Sequence, residues 1–109
     1  MVRGCLLALA LLAPACDDSS PSCELTMGDT LLVCIDYGGP ISVSDARASC
    51  QDNGGSWQES ACDSGDAVAR CELFGSSTWY YAPYVAQTGT TFDMLRADCE
   101  QTGGTFTQL

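Results

Sequence analysis

Short segments with alternating or continuous apolar residues predict six β-strands in the body of the chain. They cover residues 24–27, 31–37, 56–60, 71–74, 78–84 and 105–109. Gly28-Asp29 separates the first two segments, and Gly75-Ser-Ser separates the fourth from the fifth. Both linkers are typical of hairpin turns. The pattern therefore predicts two hairpins, each followed after some distance by one more strand.

Between each hairpin and its final strand, the apolar positions change to a helical period. The apolar stripes at i, i+3 and i+7 are Val43, Ala46 and Cys50, and then Phe92, Leu95 and Cys99. Ser42-x-x-Asp45 and Thr90-x-x-Asp93 resemble capping boxes, and Gly54 and Gly103 are expected C-terminal caps. Two short helices are predicted, each burying one cysteine.

The same order of elements occurs twice along the chain. Residues 46–57 match residues 95–106 at an offset of 49, with Arg, Ala, Cys, Gly and Gly repeated identically. Two copies, about residues 23–58 and 71–107, are fewer than a solenoid needs, so they should pack on each other. The predicted fold class is α+β. A duplicated ββαβ unit would form a mostly antiparallel sheet with two short helices on one face, within one disulfide-stabilised domain over residues 23–109.

The first fifteen residues have the pattern of an export signal. Residues 1–4 contain Arg3, and residues 5–13 are an unbroken run of nine apolar residues, too short to span a bilayer as a mature helix. Leu12-Ala-Pro-Ala-Cys16 then resembles the lipobox of bacterial lipoprotein precursors. That resemblance implies cleavage before Cys16 and diacylation of its thiol.

Ala13 and Ala15 also satisfy the small-x-small rule of ordinary signal peptidase, which would release a secreted, non-lipidated protein. Cysteine parity favours lipidation, because acylation of Cys16 leaves six cysteines for three bridges. Residues 16–22 would then be a polar, lipidated tether that holds the domain off a membrane. The expected location is the bacterial cell envelope, with the protein anchored by acyl chains on Cys16 at the periplasmic or outer surface.

Eight cysteines without any C-x-x-C pair favour disulfides over a zinc site. In the predicted strands, parity directs Cys23 and Cys71 toward the helices and Cys34 away from them. The favoured pairs are Cys34–Cys62, Cys23–Cys50 and Cys71–Cys99. Pairing of Cys23 with Cys99 and of Cys50 with Cys71 satisfies parity equally well.

Charge and composition exclude several kinds of chemistry. The formal net charge is −10, which repels phosphate backbones and argues against nucleic-acid binding. The chain has no histidine, and its four basic residues are all arginines, so no His-based triad or Lys nucleophile exists. The scattered carboxylates are interpreted as a solvated surface, and Asp63-Ser-Gly-Asp66 as a polar turn. No catalytic residue, metal site or cofactor is predicted.

Four aromatic residues within residues 79–84 are the feature that points most directly to binding. Parity places Trp79 and Tyr81 on the sheet face away from the helices, beside Leu32, and places Tyr80 and Tyr84 on the inner face. Outward-facing aromatic rings suit a sugar or a protein partner. If the Cys34–Cys62 bridge covers this face instead, its aromatic residues have a structural role.

In each copy, a helix cysteine is followed by Gly-Gly, a hydroxyl residue and an aromatic: Cys50 with residues 54–57, and Cys99 with residues 103–106. In this respect the body resembles small cysteine-rich repeat lipoproteins of Gram-negative bacteria, a resemblance that brings no known activity. The expected function is a lipid-anchored cell-envelope module that binds an envelope protein or glycan, or is structural, without catalysis. The alternative is a secreted enzyme or inhibitor.

Overall fold

A computed structural model describes residues 20–38 and 42–109, which form six strands and three helices. In chain order, the elements are β1 Ser22–Met27, β2 Thr30–Asp36, α1 Val43–Asp52, β3 Ser56–Gln58, β4 Ala67–Leu73, β5 Ser76–Tyr81, α2 Ala82–Thr88, α3 Phe92–Gln101 and β6 Thr105–Gln108. The signal segment, Cys16 and most of the tether lie outside the described residues.

The six strands form one sheet in the order β3-β1-β2-β5-β4-β6, and every neighbouring pair is antiparallel. The two hairpins, β1–β2 and β4–β5, meet in the middle of the sheet, where β2 pairs with β5. The short strands β3 and β6 form the two edges. The α+β class and the mostly antiparallel sheet are confirmed.

Three disulfides occur in the described part of the chain, and they confirm a disulfide-stabilised domain. The pairs are Cys23–Cys50, Cys34–Cys62 and Cys71–Cys99. The first and third join α1 to β1 and α3 to β4, which places both helices on one face of the sheet. The second joins β2 to the segment between β3 and β4 on the opposite face. These are the pairs favoured from the sequence, and the alternative, which satisfies parity equally well, is not present among residues 20–38 and 42–109.

Helices α1 and α3 end in the same way, at the two Gly-Gly pairs. Gly54 and Gly103 adopt positive φ angles of 77° and 89°, which only glycine reaches without strain. Their backbone N–H groups donate to Gln51 and Glu100, while those of Gly55 and Gly104 donate to the carbonyls of Cys50 and Cys99. This is the Schellman hydrogen-bond pattern.

The second glycine of each pair has a different role. A Cβ added at Gly55 would lie 2.5 Å from Cys23 Sγ, and one added at Gly104 would lie 2.9 Å from Cys71 Sγ. Only a residue without a side chain lets the backbone pass this close to the disulfide. Each Gly-Gly pair therefore ends a helix and also accommodates the bridge that fastens it.

The structure corrects two predictions in the second half of the chain. The strand predicted over residues 78–84 ends at Tyr81, and Ala82–Thr88 form the helix α2, so three helices are described rather than two. Pro83 in the first turn cannot donate to a sheet ladder, and Gly89 ends the helix with a left-handed φ of 71°. The N-cap of α3 is Thr91 instead of Thr90, because the Thr91 hydroxyl accepts from Met94 N–H at 3.2 Å.

Candidate functional site

A segment without regular secondary structure, residues 59–66, covers part of the sheet face opposite α1 and α3. We call it the crossover segment, because it leads from β3 at one edge of the sheet to β4 near the other. Ser22 Oγ in β1 donates to the carbonyl of Ser60 at 2.6 Å, and Cys34 in β2 is bonded to Cys62. Tyr81 at the end of β5 donates to the carbonyl of Asp63 at 2.5 Å. The crossover segment is thus fastened to three successive strands.

Tyr81 is buried near the crossover segment, with only 4 % of its surface exposed. The prediction that it presents a ring to a partner is wrong. Parity identified the face away from α1 and α3, but that face is covered where Tyr81 lies. Its hydroxyl is used internally, by the bond to Asp63, and is not offered to a ligand.

Trp79 lies on the same face and is half-buried. The guanidinium carbon of Arg70 sits 5.1 Å from the centre of the Trp79 ring, a cation–π distance. The indole Nε1 donates to Asp36 at 2.9 Å, and the other oxygen of Asp36 accepts from the backbone N–H of Cys62 at 2.7 Å. The Trp79 indole therefore helps to hold the crossover segment through Asp36, so its hydrogen-bonding group is used within the domain.

Leu32, the third residue predicted for an aromatic binding face, lies at a β-bulge. Leu25 pairs with Val33 and Thr26 pairs with Leu31, so Leu32 is skipped in the register. A bulge interrupts the alternation of sides on which parity depends. Leu32 is half-buried there, and Leu31 lines a cavity of about 300 Å³ beside Tyr81, Ala82 and Pro83. The structure does not join Trp79, Tyr81 and Leu32 into an exposed aromatic surface.

Burial and nearby carboxylates raise the pKa of Tyr81 from its ordinary value of 10.0 to about 12. The carboxylates are those of Asp63, Asp36, Glu24 and Asp66. Negative charge near the phenol opposes the formation of phenolate, so Tyr81 stays a neutral donor at physiological pH. Within residues 20–38 and 42–109, no group of three or more acidic or cysteine side chains is placed to hold a metal ion.

A second aromatic cluster, which we call the Trp57 cluster, consists of Tyr37, Arg47, Trp57 and Glu59. The rings of Tyr37 and Trp57 stack with centroids 5.7 Å apart and an angle of 24° between their planes. The Arg47 guanidinium lies 5.5 Å from the Trp57 ring centre. Glu59 accepts from both Arg47 at 2.8 Å and the Trp57 indole at 3.1 Å. Two stacked rings and an ion pair therefore lie side by side.

The Trp57 cluster is open to solvent. Tyr37 and Trp57 are half-buried, while the side chains of Arg47 and Glu59 are 48 % and 77 % exposed. Ion pairs this exposed contribute only about 0–1 kcal/mol to stability. Stabilisation of the fold therefore does not account for this exposed arrangement. For that reason the Trp57 cluster is the candidate binding surface of the described chain.

The equivalent place in the second half is simpler. Arg96 lies 5.1 Å from the Phe106 ring centre, at the offset of 49 that also relates Arg47 to Trp57. At the same offset, Gln108 stands where the first half has Glu59. The first half thus adds an indole donor and a carboxylate to a shared arginine–aromatic contact. The offset of 49 between the two halves relates the two arginine–aromatic pairs in the sequence alone. The stack of Trp57 on Tyr37 could not be found in this way, because it joins residues that are far apart in the chain.

Comparison with protein-family models, with curated proteins and with solved structures finds no match to this chain. In the described residues, none of the helices combines the length and the apolar character needed to cross a membrane.

Proposed function

We propose that this chain is a lipid-anchored, non-catalytic module of the bacterial cell envelope. The observation that supports this most directly is the pairing of cysteines: all six between residues 23 and 99 bond to one another, and none in the described part is free. The domain therefore offers no partner to Cys16. Together with the apolar run before it, this favours acylation of Cys16 over a seventh disulfide-forming cysteine.

The finer architecture that we propose is an internal duplication of one ββαβ unit. Three observations support it. The strand order reads the same from either edge, as final strand, first strand and second strand of each half. The helix disulfides Cys23–Cys50 and Cys71–Cys99 are equivalent, and each is passed closely by the second glycine of a Gly-Gly pair. An arginine covers an aromatic ring at the same position of each half. The equivalent cysteines are 27 and 28 positions apart, so in this view α2 takes up residues that the first unit uses in its longer hairpin.

Replacing Cys16 with alanine is expected to abolish incorporation of labelled fatty acid and to move the protein from the membrane to the soluble fraction, because the acyl chains provide the anchor. The measurement is labelling with radioactive palmitate in a Gram-negative host, followed by membrane fractionation. Cys5→Ala is the matched control, since it removes a cysteine from the signal segment without touching the proposed acylation site. Membrane association of the Cys16→Ala protein, or an unlabelled wild type, would contradict the anchor.

The partner that we propose is an envelope polysaccharide, bound at the Trp57 cluster. Sugar rings pack their C–H groups on aromatic faces, while neighbouring charged groups bond the hydroxyls. In the Trp57 cluster, Arg47 and Tyr37 already lie against the Trp57 ring, so a sugar would pack on the sides of the two half-buried rings that these contacts leave free, next to the charged groups of Arg47 and Glu59. Burial also raises the pKa of Tyr37, so its hydroxyl remains a neutral donor near pH 7.

Trp57→Phe combined with Glu59→Gln converts the cluster to the residue types of the second half and is expected to lower retention on isolated peptidoglycan sacculi several-fold. The fold should be preserved, because the second half already uses phenylalanine and glutamine at these positions. Trp79→Phe serves as the control, since it removes an indole from the opposite face of the sheet. Equal retention of the double variant and the wild type would exclude the Trp57 cluster as the polysaccharide site.

A further inference from the structure

Phe74 is the most exposed large apolar side chain among the described residues, with 89 % of its surface accessible. It lies in the tight turn between β4 and β5, where Gly75 follows with a positive φ of 90°. Because the ring is so exposed, the packing of Phe74 contributes little to the stability of the domain. An aromatic ring at the tip of a hairpin is suited to contact with an apolar or interfacial environment outside the domain.

The strand register places this tip at the end of the sheet where the chain enters from its N-terminal side. Ser22 at the start of β1 pairs with Asp36, Asp36 pairs with Ser77, and Ser77 pairs with Glu72, two residues before Phe74. Ser20 also shares a cavity of about 380 Å³ with the hairpin residues Glu72 and Ser76. The first described residue of the chain and the β4–β5 turn are therefore neighbours at one end of the sheet.

The other exposed hairpin tip lies at the opposite end. Met27, 60 % exposed, precedes the β1–β2 turn. It is separated from Ser22 by the length of β1 and from Asp36 by that of β2, which corresponds to about 17–20 Å along the sheet. The two exposed apolar tips thus mark the two ends of the domain, and only the Phe74 tip lies beside the N-terminal segment.

From this arrangement we propose that Phe74 inserts into the headgroup region of the membrane that carries the anchor, which fixes the orientation of the domain on the bilayer. The inference rests on the proposed anchor at Cys16. Three residues lie between Cys16 and Ser20, so four Cα–Cα steps separate them, a span of at most about 14 Å when fully extended. The β4–β5 tip joins strands that lie two and three strand spacings from β1, about 10 and 14 Å, so a short tether holds it close to the bilayer surface.

One aromatic ring does not anchor a protein by itself, but it needs little affinity once the acyl chains hold the domain at the surface. The occupant is the zwitterionic lipid interface, because the net charge of −10 repels anionic headgroups. At this end, Glu72 is paired with Arg70 at 3.5 Å and Asp36 accepts two hydrogen bonds. These contacts reduce the cost of bringing the acidic side chains near the membrane.

The test uses Phe74→Trp and Met27→Trp in the exported full chain, each reconstituted into phosphatidylcholine–phosphatidylethanolamine vesicles with or without bromine on the acyl chains. Brominated lipids quench a tryptophan that reaches the bilayer. The wild type, with two tryptophans, supplies the background. We expect bromination to remove up to about a third of the Phe74→Trp emission beyond that background, because one tryptophan of three would contact lipid. Met27→Trp should match the wild type.

Quenching of Met27→Trp, or no added quenching of Phe74→Trp, would overturn the proposed orientation. The mass of the N-terminal peptide reports acylation independently, so a failed anchor and a failed orientation are distinguished. If the exported chain carries a free Cys16 thiol, coupling it to a maleimide phospholipid places the anchor at the same residue. The quenching comparison then tests the orientation in the same way.

Discussion

Reduction of the three disulfides is expected to abolish cooperative unfolding of this chain. Each bridge contributes about 2–4 kcal/mol, and the total stability of a small domain is about 5–15 kcal/mol. The side chains that are almost fully buried are also dominated by cysteines, with Cys23 and Cys34 the largest apolar ones. The measurement is guanidinium unfolding followed by circular dichroism, with and without reductant. A reduced chain that still unfolds cooperatively at a similar midpoint would contradict the expectation.

The bridges can be compared with one another because they close loops of nearly equal length. The sequence separation is 27 for Cys23–Cys50 and 28 for both Cys34–Cys62 and Cys71–Cys99, so each bridge lowers the entropy of the unfolded chain by almost the same amount. Replacing Cys34 and Cys62 together by alanine should also release the crossover segment and shift Trp79 emission to longer wavelength. The Cys71→Ala, Cys99→Ala variant is the control, since that bridge closes an equally long loop, lies on the opposite face and is far from Trp57. No red shift in the Cys34→Ala, Cys62→Ala variant, or an equal shift in the control, would contradict the view that this bridge holds the crossover segment.

The sequence pattern predicts the strands and helices of this protein better than it predicts which segment covers each face of the sheet. The strand period directs Cys34 away from α1, and pairing with Cys62 then requires the crossover segment to lie on that face. Residues 59–66 have no periodic pattern of their own, so nothing local shows that they also cover Tyr81. The prediction for Tyr81 was wrong because parity identifies a face but does not say whether it is exposed.

The sequence pattern does not predict helix α2, for a different reason. Residues 79–84 have aromatic residues that favour strands, and a short apolar run fits a strand as well as a helix. Pro83 near the start and Gly89 after the end are the asymmetric signals of a short helix. They were present in the sequence, and they outweigh the preference of Tyr84 for a strand because proline cannot continue the ladder.

The Trp57 cluster could be predicted only in part. The repeat offset relates Arg47 and Trp57 to Arg96 and Phe106, and each arginine proves to lie over its aromatic ring. The contact with Tyr37 joins two segments that are twenty positions apart and are brought together by β1 between them. No periodicity encodes such a contact, so the surface proposed for polysaccharide binding becomes visible only in the folded chain.

Truncation of Tyr81 to alanine is expected to lower the free energy of unfolding by about 3–5 kcal/mol, as for other large aromatic side chains removed from a core. The ring is 4 % exposed, and its hydroxyl bond to Asp63 is lost as well. For a domain this small, such a loss leaves little stability. Thermal and guanidinium unfolding of the oxidised protein measure it, with Trp79→Ala and Tyr80→Ala for comparison. Both should cost less, because Trp79 and Tyr80 are only half-buried.

Tyr81→Phe keeps the buried ring and removes only the hydroxyl, so it measures the contribution of the hydroxyl to stability. That contribution depends on pH. The folded protein holds the pKa of Tyr81 at about 12, whereas the unfolded chain has the ordinary value of 10.0, so the unfolded chain loses the phenol proton first. This contribution to stability is therefore constant below about pH 10 and decreases as the pH rises to about 12. Tyr81→Phe should show a smaller alkaline decrease than the wild type, with burial of Tyr80 accounting for part of what remains. Identical alkaline profiles of the wild type and Tyr81→Phe would contradict the burial of Tyr81, as would a larger loss of stability for Tyr80→Ala than for Tyr81→Ala. The core would then lie on the side of the helices, and Tyr81 would be at an exposed surface.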